Sequence, residues 1–163
     1  MIFKKYAIKK ILINFVLVNI VINGFFYYFN FRNYEGPLYL QSIKGDLLFG
    51  LVMLALLCAY TGFINTQKDV LTGTFYEEDL HFKLSKYLPK TLTLRLLAVI
   101  LFVSIIVYPM FITIPNLLGV NEINHTIGFL IKTGSAALAA AVIGYFVITL
   151  SISDYKNLSN KTY

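Results

Sequence analysis

Charged residues make up only 13% of this 163-residue chain, cysteine occurs once, and no stretch carries a catalytic or cofactor-binding signature. Each shortage excludes something. With 58% of residues hydrophobic and so few charges, a water-soluble fold would lack the polar shell it needs. A lone cysteine, Cys58, forms no intramolecular disulfide and says nothing about redox compartment. Its expected place is a small buried position inside an apolar run. The chain also lacks a nucleophile elbow, a glycine-rich phosphate loop, paired histidine ligands and clustered carboxylates, so no reaction chemistry and no cofactor can be read from it.

What the chain has in abundance is long apolar stretches. Four of them, at about 11–31, 47–64, 96–114 and 127–152, approach the roughly 20 residues that cross bilayer hydrocarbon as a helix. The expectation is an all-α, single-domain, polytopic membrane protein, a bundle of four transmembrane helices. The first run follows Lys4, Lys5, Lys9 and Lys10, as a signal peptide would, but it is too long and ends in the aromatic stretch from Phe25 to Phe29. It therefore reads as an uncleaved span. Between spans two and three, segment 66–90 mixes Leu80, Phe82, Leu84, Tyr87 and Leu88 with charges, which predicts a short interfacial helix on the cytoplasmic face.

The net charge of +6 does not point to nucleic acid, because the basic residues cluster at the ends of the apolar runs, where lipid headgroups meet them. Eleven of the fourteen Lys and Arg fall in the N-terminal head, the middle segment and the tail, leaving Arg32, Lys44 and Lys132 on the other side. The positive-inside rule then places both termini in the cytoplasm. Richness in Ile, Lys, Asn, Phe and Tyr matches AT-rich bacterial coding and favours a bacterial plasma membrane. A shift of about 85 residues lays Asn19 on Ser104, Gly24 on Pro109 and Phe26 on Phe111, a hint of a duplicated hairpin.

Within the spans the foremost candidates are Asp46 and Lys132, opposite charges near the outer ends of spans two and four. An ionisable group in hydrocarbon costs about 2.5–3.5 kcal/mol on insertion scales, so it seeks a partner, protein or water. The pair reads as a structural clamp, as two separately snorkelling side chains, or as an ion relay or gate; Asp46 also fits a helix N-cap. Asn19 and Asn23, one turn apart on span one, make a candidate interhelical polar face, with Asn14 and Gly24 nearby. Ala136, Ala140 and Gly144 recur every fourth residue on span four, the spacing for close helix packing within a chain or between chains. Pro109 is expected to kink span three beside Ser104. Glu78 and His81 have the spacing of a Glu-x-x-His metal half-site, but no second copy exists and His125 lies across the membrane, so no metal is expected.

Three functional classes are compatible with these features. The first is a non-enzymatic membrane component that associates with itself or with a larger membrane partner. The second is a small transporter or channel using Asp46 and Lys132, and the third is a lipid-active enzyme. They differ in what should surround the two charges: dry packing, water, or a lateral opening to lipid.

Overall fold

The computed structural model describes residues 3–73, 89 and 91–159, with side chains from 4 to 153 within those bounds. The expected interfacial helix and the Glu78/His81 pair lie outside the described residues. Four helices dominate. Helix α1 covers 3–31, in three continuous segments, Phe3–Lys10, Ile11–Leu17 and Val18–Phe31; α2 is Leu40–Leu71, α3 is Leu92–Leu117, and α4 is His125–Ser159. All four are long and apolar enough to cross a membrane.

Every helix outruns the apolar stretch that announced it. Hydropathy marks the part of a helix suited to hydrocarbon, whereas hydrogen bonding continues into polar flanks such as Gln41 to Lys44 and Asn65 to Asp69. The first residues of the segment read as a cytoplasmic loop, 66–71, are thus the last turn and a half of α2. The connections at the end of the bundle formed by residues 32–39 and 118–124, termed its outer end, contain an element that sequence did not announce. Strands β1 (Leu38–Tyr39) and β2 (Glu122–Ile123) pair antiparallel, Leu38 opposite Ile123 and Tyr39 opposite Glu122. Leu38 and Ile123 turn inward and close the outer end of the core.

This short ladder starts both α2 and α4. The Leu40 amide donates to the Asn121 carbonyl at 2.9 Å, so α2 begins without a side-chain cap. Asn124 caps α4, its Oδ1 accepting from the Ile127 amide at 2.8 Å. Asp46 is consequently not an N-cap, because α2 has begun six residues before it.

Helices α2 and α4 pack along each other through the centre, α1 lies chiefly on α4, and α3 lies chiefly on α2. The first helix of each hairpin thus packs on the second helix of the other. One apolar core joins all four, with Leu47, Leu51, Ala55 and Ala59 of α2 against Ala136, Ala140, Ile143 and Val147 of α4. A smaller cluster of Tyr6, Ile148 and Ile152 closes the inner end.

Both flanking helices widen to π-helix, α1 at Ile11–Leu17 and α3 at Val103–Val107. In α3 the cause is visible. Pro109 has no amide proton, and the widened turn ends just before it, leaving Pro109 in the opening turn of the restarted segment Tyr108–Phe111, where the missing donor is tolerated. A break follows at Ile112 (φ −116°, ψ −54°), three residues before Pro115, which likewise cannot donate.

Candidate functional site

The charged pair forms because two helices start at one level and run the same way. Asp46 lies six residues into α2 and Lys132 seven into α4, depths of about 9 and 10 Å at 1.5 Å per residue. Lys132 Nζ donates to Asp46 Oδ2 at 2.5 Å and to the Asp46 backbone carbonyl at 2.8 Å. The other carboxylate oxygen, Oδ1, accepts from Asn30 Nδ2 of α1 at 2.7 Å. Lys132 is only 3% exposed and Asp46 19%, so the ammonium is sealed while the carboxylate keeps an edge to the outside.

Gly50, one turn below Asp46, makes room for this arrangement. A methyl group there would stand 2.9 Å from Lys132 Nζ and 3.0 Å from Asn23 Oδ1, closer than real side chains pack. The lysine therefore lies against bare backbone, with the Asn23 amide beside it. Chemically this is a desolvated ion pair whose carboxylate has a neutral donor, Asn30, as well as a charged one, the condition under which buried pairs persist.

A second ionic cluster stands at the other end of α2. Lys10 Nζ of α1 donates to Asp69 Oδ2 at 2.5 Å and to Tyr6 Oη at 2.8 Å, and Tyr6 Oη donates to Asp69 Oδ2 at 2.6 Å. Lys10 is 6% exposed and Asp69 36%. The sequence offered weak signals for this cluster. Lys10 counts in the sequence only towards topology, and Asp69 falls in a segment whose polarity suggests loop. Asp46 and Asp69 are 23 residues apart on one helix, about 35 Å, close to the roughly 30 Å thickness of bilayer hydrocarbon. The two ion pairs bracket that thickness.

Between them α1 turns a graded face towards α2. Asn23 and Asn19 are buried, each donating its amide to the carbonyl one turn earlier, at 3.0 and 2.7 Å, and Asn19 also meets Cys58 Sγ at 3.5 Å. Cys58 is half-buried. Asn14 is not on this face but exposed. Below Asn19 the Phe15 ring fills a slot between two glycines, 2.7 Å from where a Gly62 methyl would sit and 3.0 Å from that of Gly144. Phe15 thus separates the outer polar layer from the inner ionic cluster.

The small-residue face of α4 is occupied within the chain. Ala136 and Ala140 are fully buried, and Gly144 lies under Phe15 and Ile11 of α1. Gly24 faces Phe129 and Thr133 of α4. Near the inner end an apolar cavity of about 190 Å³ lies between α3 and α4, lined by Val99, Phe102, Ile143 and Phe146. Arg95 closes its inner side, with Nε donating to the Pro89 carbonyl at 2.6 Å and the guanidinium 5.5 Å over the Phe63 ring. In the sequence Arg95 stands out only as a topological charge. Among the described residues no three His, Cys, Asp or Glu gather as metal ligands.

No protein-family model matches the chain, and no curated protein or solved structure matches it. The functional reading rests on the geometry.

Proposed function

We propose that the chain is an integral membrane protein that crosses a bacterial plasma membrane four times with both termini in the cytoplasm, and that it acts as a non-enzymatic membrane component in an oligomer or a larger assembly. Its surface supports insertion. Phe49, Leu57, Leu97, Leu101, Ile105 and Ile106 are all exposed along α2 and α3, an outer coat suited to lipid and unsuited to water. The observation that carries the structural role is Lys132, wedged against Gly50 and bonded twice to Asp46. A relay needs room for water or a moving ion at its charges, whereas this ammonium is packed on backbone. The pair acts as a clamp between α2 and α4.

One further reading has its own observation. The outer ion pair, Asn23, Asn19 and the inner ion pair follow each other along the contact of α1 with α2, interrupted by Phe15. Such a column is what a proton or small-cation path with a closed apolar constriction would use.

Reconstitution separates the two. Under the clamp reading, vesicles holding the purified protein leak protons and potassium no faster than empty vesicles, and the Phe15→Ala variant does not change this. A sustained flux above that of empty vesicles, raised further by Phe15→Ala, establishes the path instead. Membrane topology is tested separately. In a Cys58→Ala background, cysteines at Gly36 and Gly73 should react with impermeant thiol reagents from opposite sides of intact cells or inverted vesicles. Labelling of both from one side would overturn the four-span arrangement.

A further inference from the structure

The contact between Lys10 and Asp69 fixes which side chains share the inner end of the α1–α2 groove. Helix α1 lies chiefly on α4 and meets α2 through side chains, Lys10 and Tyr6 on Asp69 at the inner end and Asn30 on Asp46 at the outer end. A groove therefore separates the two helices, and they run antiparallel. A two-fold axis perpendicular to the plane of two antiparallel helices exchanges them, so the residue just before each contact residue falls on the same side of that plane. Those residues are Lys9 and Lys68. Both are exposed, hence on the open side of the groove, and among the described residues neither has a hydrogen bond or an ion pair. Lys5, also exposed, stands one turn behind Lys9 on the same face. Four ammonium groups, of Lys5, Lys9, Lys10 and Lys68, thus gather around one carboxylate, Asp69, which Lys10 already engages. Deeper along the groove the chemistry changes in order. On α2, Asn65 lies three residues before Lys68, about 4.5 Å further in, exposed and without a hydrogen bond to a described residue. Thr61 follows one turn beyond, its hydroxyl donated to the Leu57 carbonyl at 2.7 Å, and Leu57 is exposed below it. On α1, Ile13 continues the face of Lys9 and is exposed.

We infer that this end of the groove is a binding site for an anionic phospholipid of the inner leaflet, its phosphate between Lys9 and Lys68, its ester groups beside Asn65, and one acyl chain along Ile13 and Leu57. Charge complementarity selects the occupant. Two unpaired ammonium groups held on neighbouring helices repel each other, and an anion shared between them removes the repulsion. The order of cation, amide and hydrocarbon with increasing depth repeats the order of a phospholipid's own groups, which selects an amphiphile over a free anion or an acidic peptide. The level fits as well, since Lys9 and Lys68 adjoin the inner ion pair, which stands at the edge of the hydrocarbon. Anionic lipids of the cytoplasmic leaflet supply the charge there, and each lysine near that surface strengthens the attraction about fivefold.

The inference rests on the membrane reading above, and its test keeps the two apart. A fluorophore is attached at Ile13→Cys in a Cys58→Ala background, and the protein is reconstituted into phosphatidylcholine vesicles. Quenching by increasing amounts of chain-brominated phosphatidylglycerol is compared with quenching by chain-brominated phosphatidylcholine. Half-maximal quenching is expected at a mole fraction at least about fivefold lower for phosphatidylglycerol. The Lys9→Gln, Lys68→Gln double variant should lose that preference, whereas Lys4→Gln with Lys44→Gln, which removes as much charge elsewhere, should keep it. With the fluorophore moved to Leu101→Cys on α3, the two lipids should quench equally. No preference for phosphatidylglycerol in the parent, an undiminished preference in the Lys9, Lys68 double variant, or an equal preference at Leu101→Cys overturns the site. Both lysines are exposed and without partners, so the double variant is expected to fold; if it does not, the comparison of Ile13→Cys with Leu101→Cys decides alone. Protein that floats with the vesicles yet shows no preference overturns the site only. Protein that fails to float refutes membrane insertion, and the site with it.

Discussion

The two ion pairs of this protein use the same chemistry at opposite ends of one helix, yet they are built differently. At the outer end the cation, Lys132, comes from the central helix α4 and is 3% exposed, with its aspartate at 19%; at the inner end the cation, Lys10, comes from the flanking helix α1 and is 6% exposed, with its aspartate at 36%. The outer pair lies in the seam that holds the bundle together, and the inner pair fastens a flank to it. The difference teaches that burial of the anion decides what a pair does. A sealed ammonium cannot lose its carboxylate cheaply, while the more a carboxylate is solvated the better it can fall back on water.

The largest expected effect breaks the outer pair asymmetrically. Asp46→Leu strands a sealed ammonium and should destabilise the bundle by about 3–5 kcal/mol, read as a shift in unfolding by denaturing detergent in mixed micelles. Lys132→Met should cost less, because the orphaned carboxylate keeps its bond from Asn30 and an edge to the outside. Next comes the layer between the pairs. Gly62→Ala drives a methyl group into the Phe15 ring and should cost about 1–3 kcal/mol, with most of it recovered in the Gly62→Ala, Phe15→Leu combination.

The inner pair should respond less. Lys10→Met is expected to cost about 1–2 kcal/mol, between the values for exposed and for buried pairs, and the loss should shrink in high salt while that of Asp46→Leu does not. Equal salt sensitivity at the two ends would erase the distinction drawn between them. The smallest effect belongs to Asn30→Ala, about 0.5–1.5 kcal/mol in the same unfolding assay, since it removes one exposed hydrogen bond and leaves the ion pair whole.

How much of this was legible in the sequence depended on range. The four apolar helices announce themselves through composition alone, and Asp46 and Lys132 stand out because charges are rare within such runs. Helix ends did not show, since polar flanks such as Asn65 to Asp69 continue a helix as readily as they begin a loop, and that concealed Asp69 and its bond to Lys10. The two-residue ladder Leu38–Tyr39 with Glu122–Ile123 joins segments 84 residues apart, which no local pattern encodes. Likewise the spacing of Ala136, Ala140 and Gly144 marked a close contact without saying that Phe15 and α2 would fill it. Among the asparagines of α1, helical periodicity correctly pairs Asn19 with Asn23, and it also sets Asn14, five residues before Asn19 and roughly 140° round the helix, outside their face.

The central claim is that Asp46 and Lys132 clamp a membrane bundle and do no more than that. Replacing both at once, Asp46→Leu with Lys132→Met, and measuring detergent unfolding and vesicle ion flux on the same preparation, tests it most directly. The clamp predicts a folded protein within about 1 kcal/mol of the parent, because a neutral packed pair avoids the desolvation cost, and flux equal to that of empty vesicles in both. A parent chain that conducts, with conduction lost in a double variant that remains folded, would contradict it.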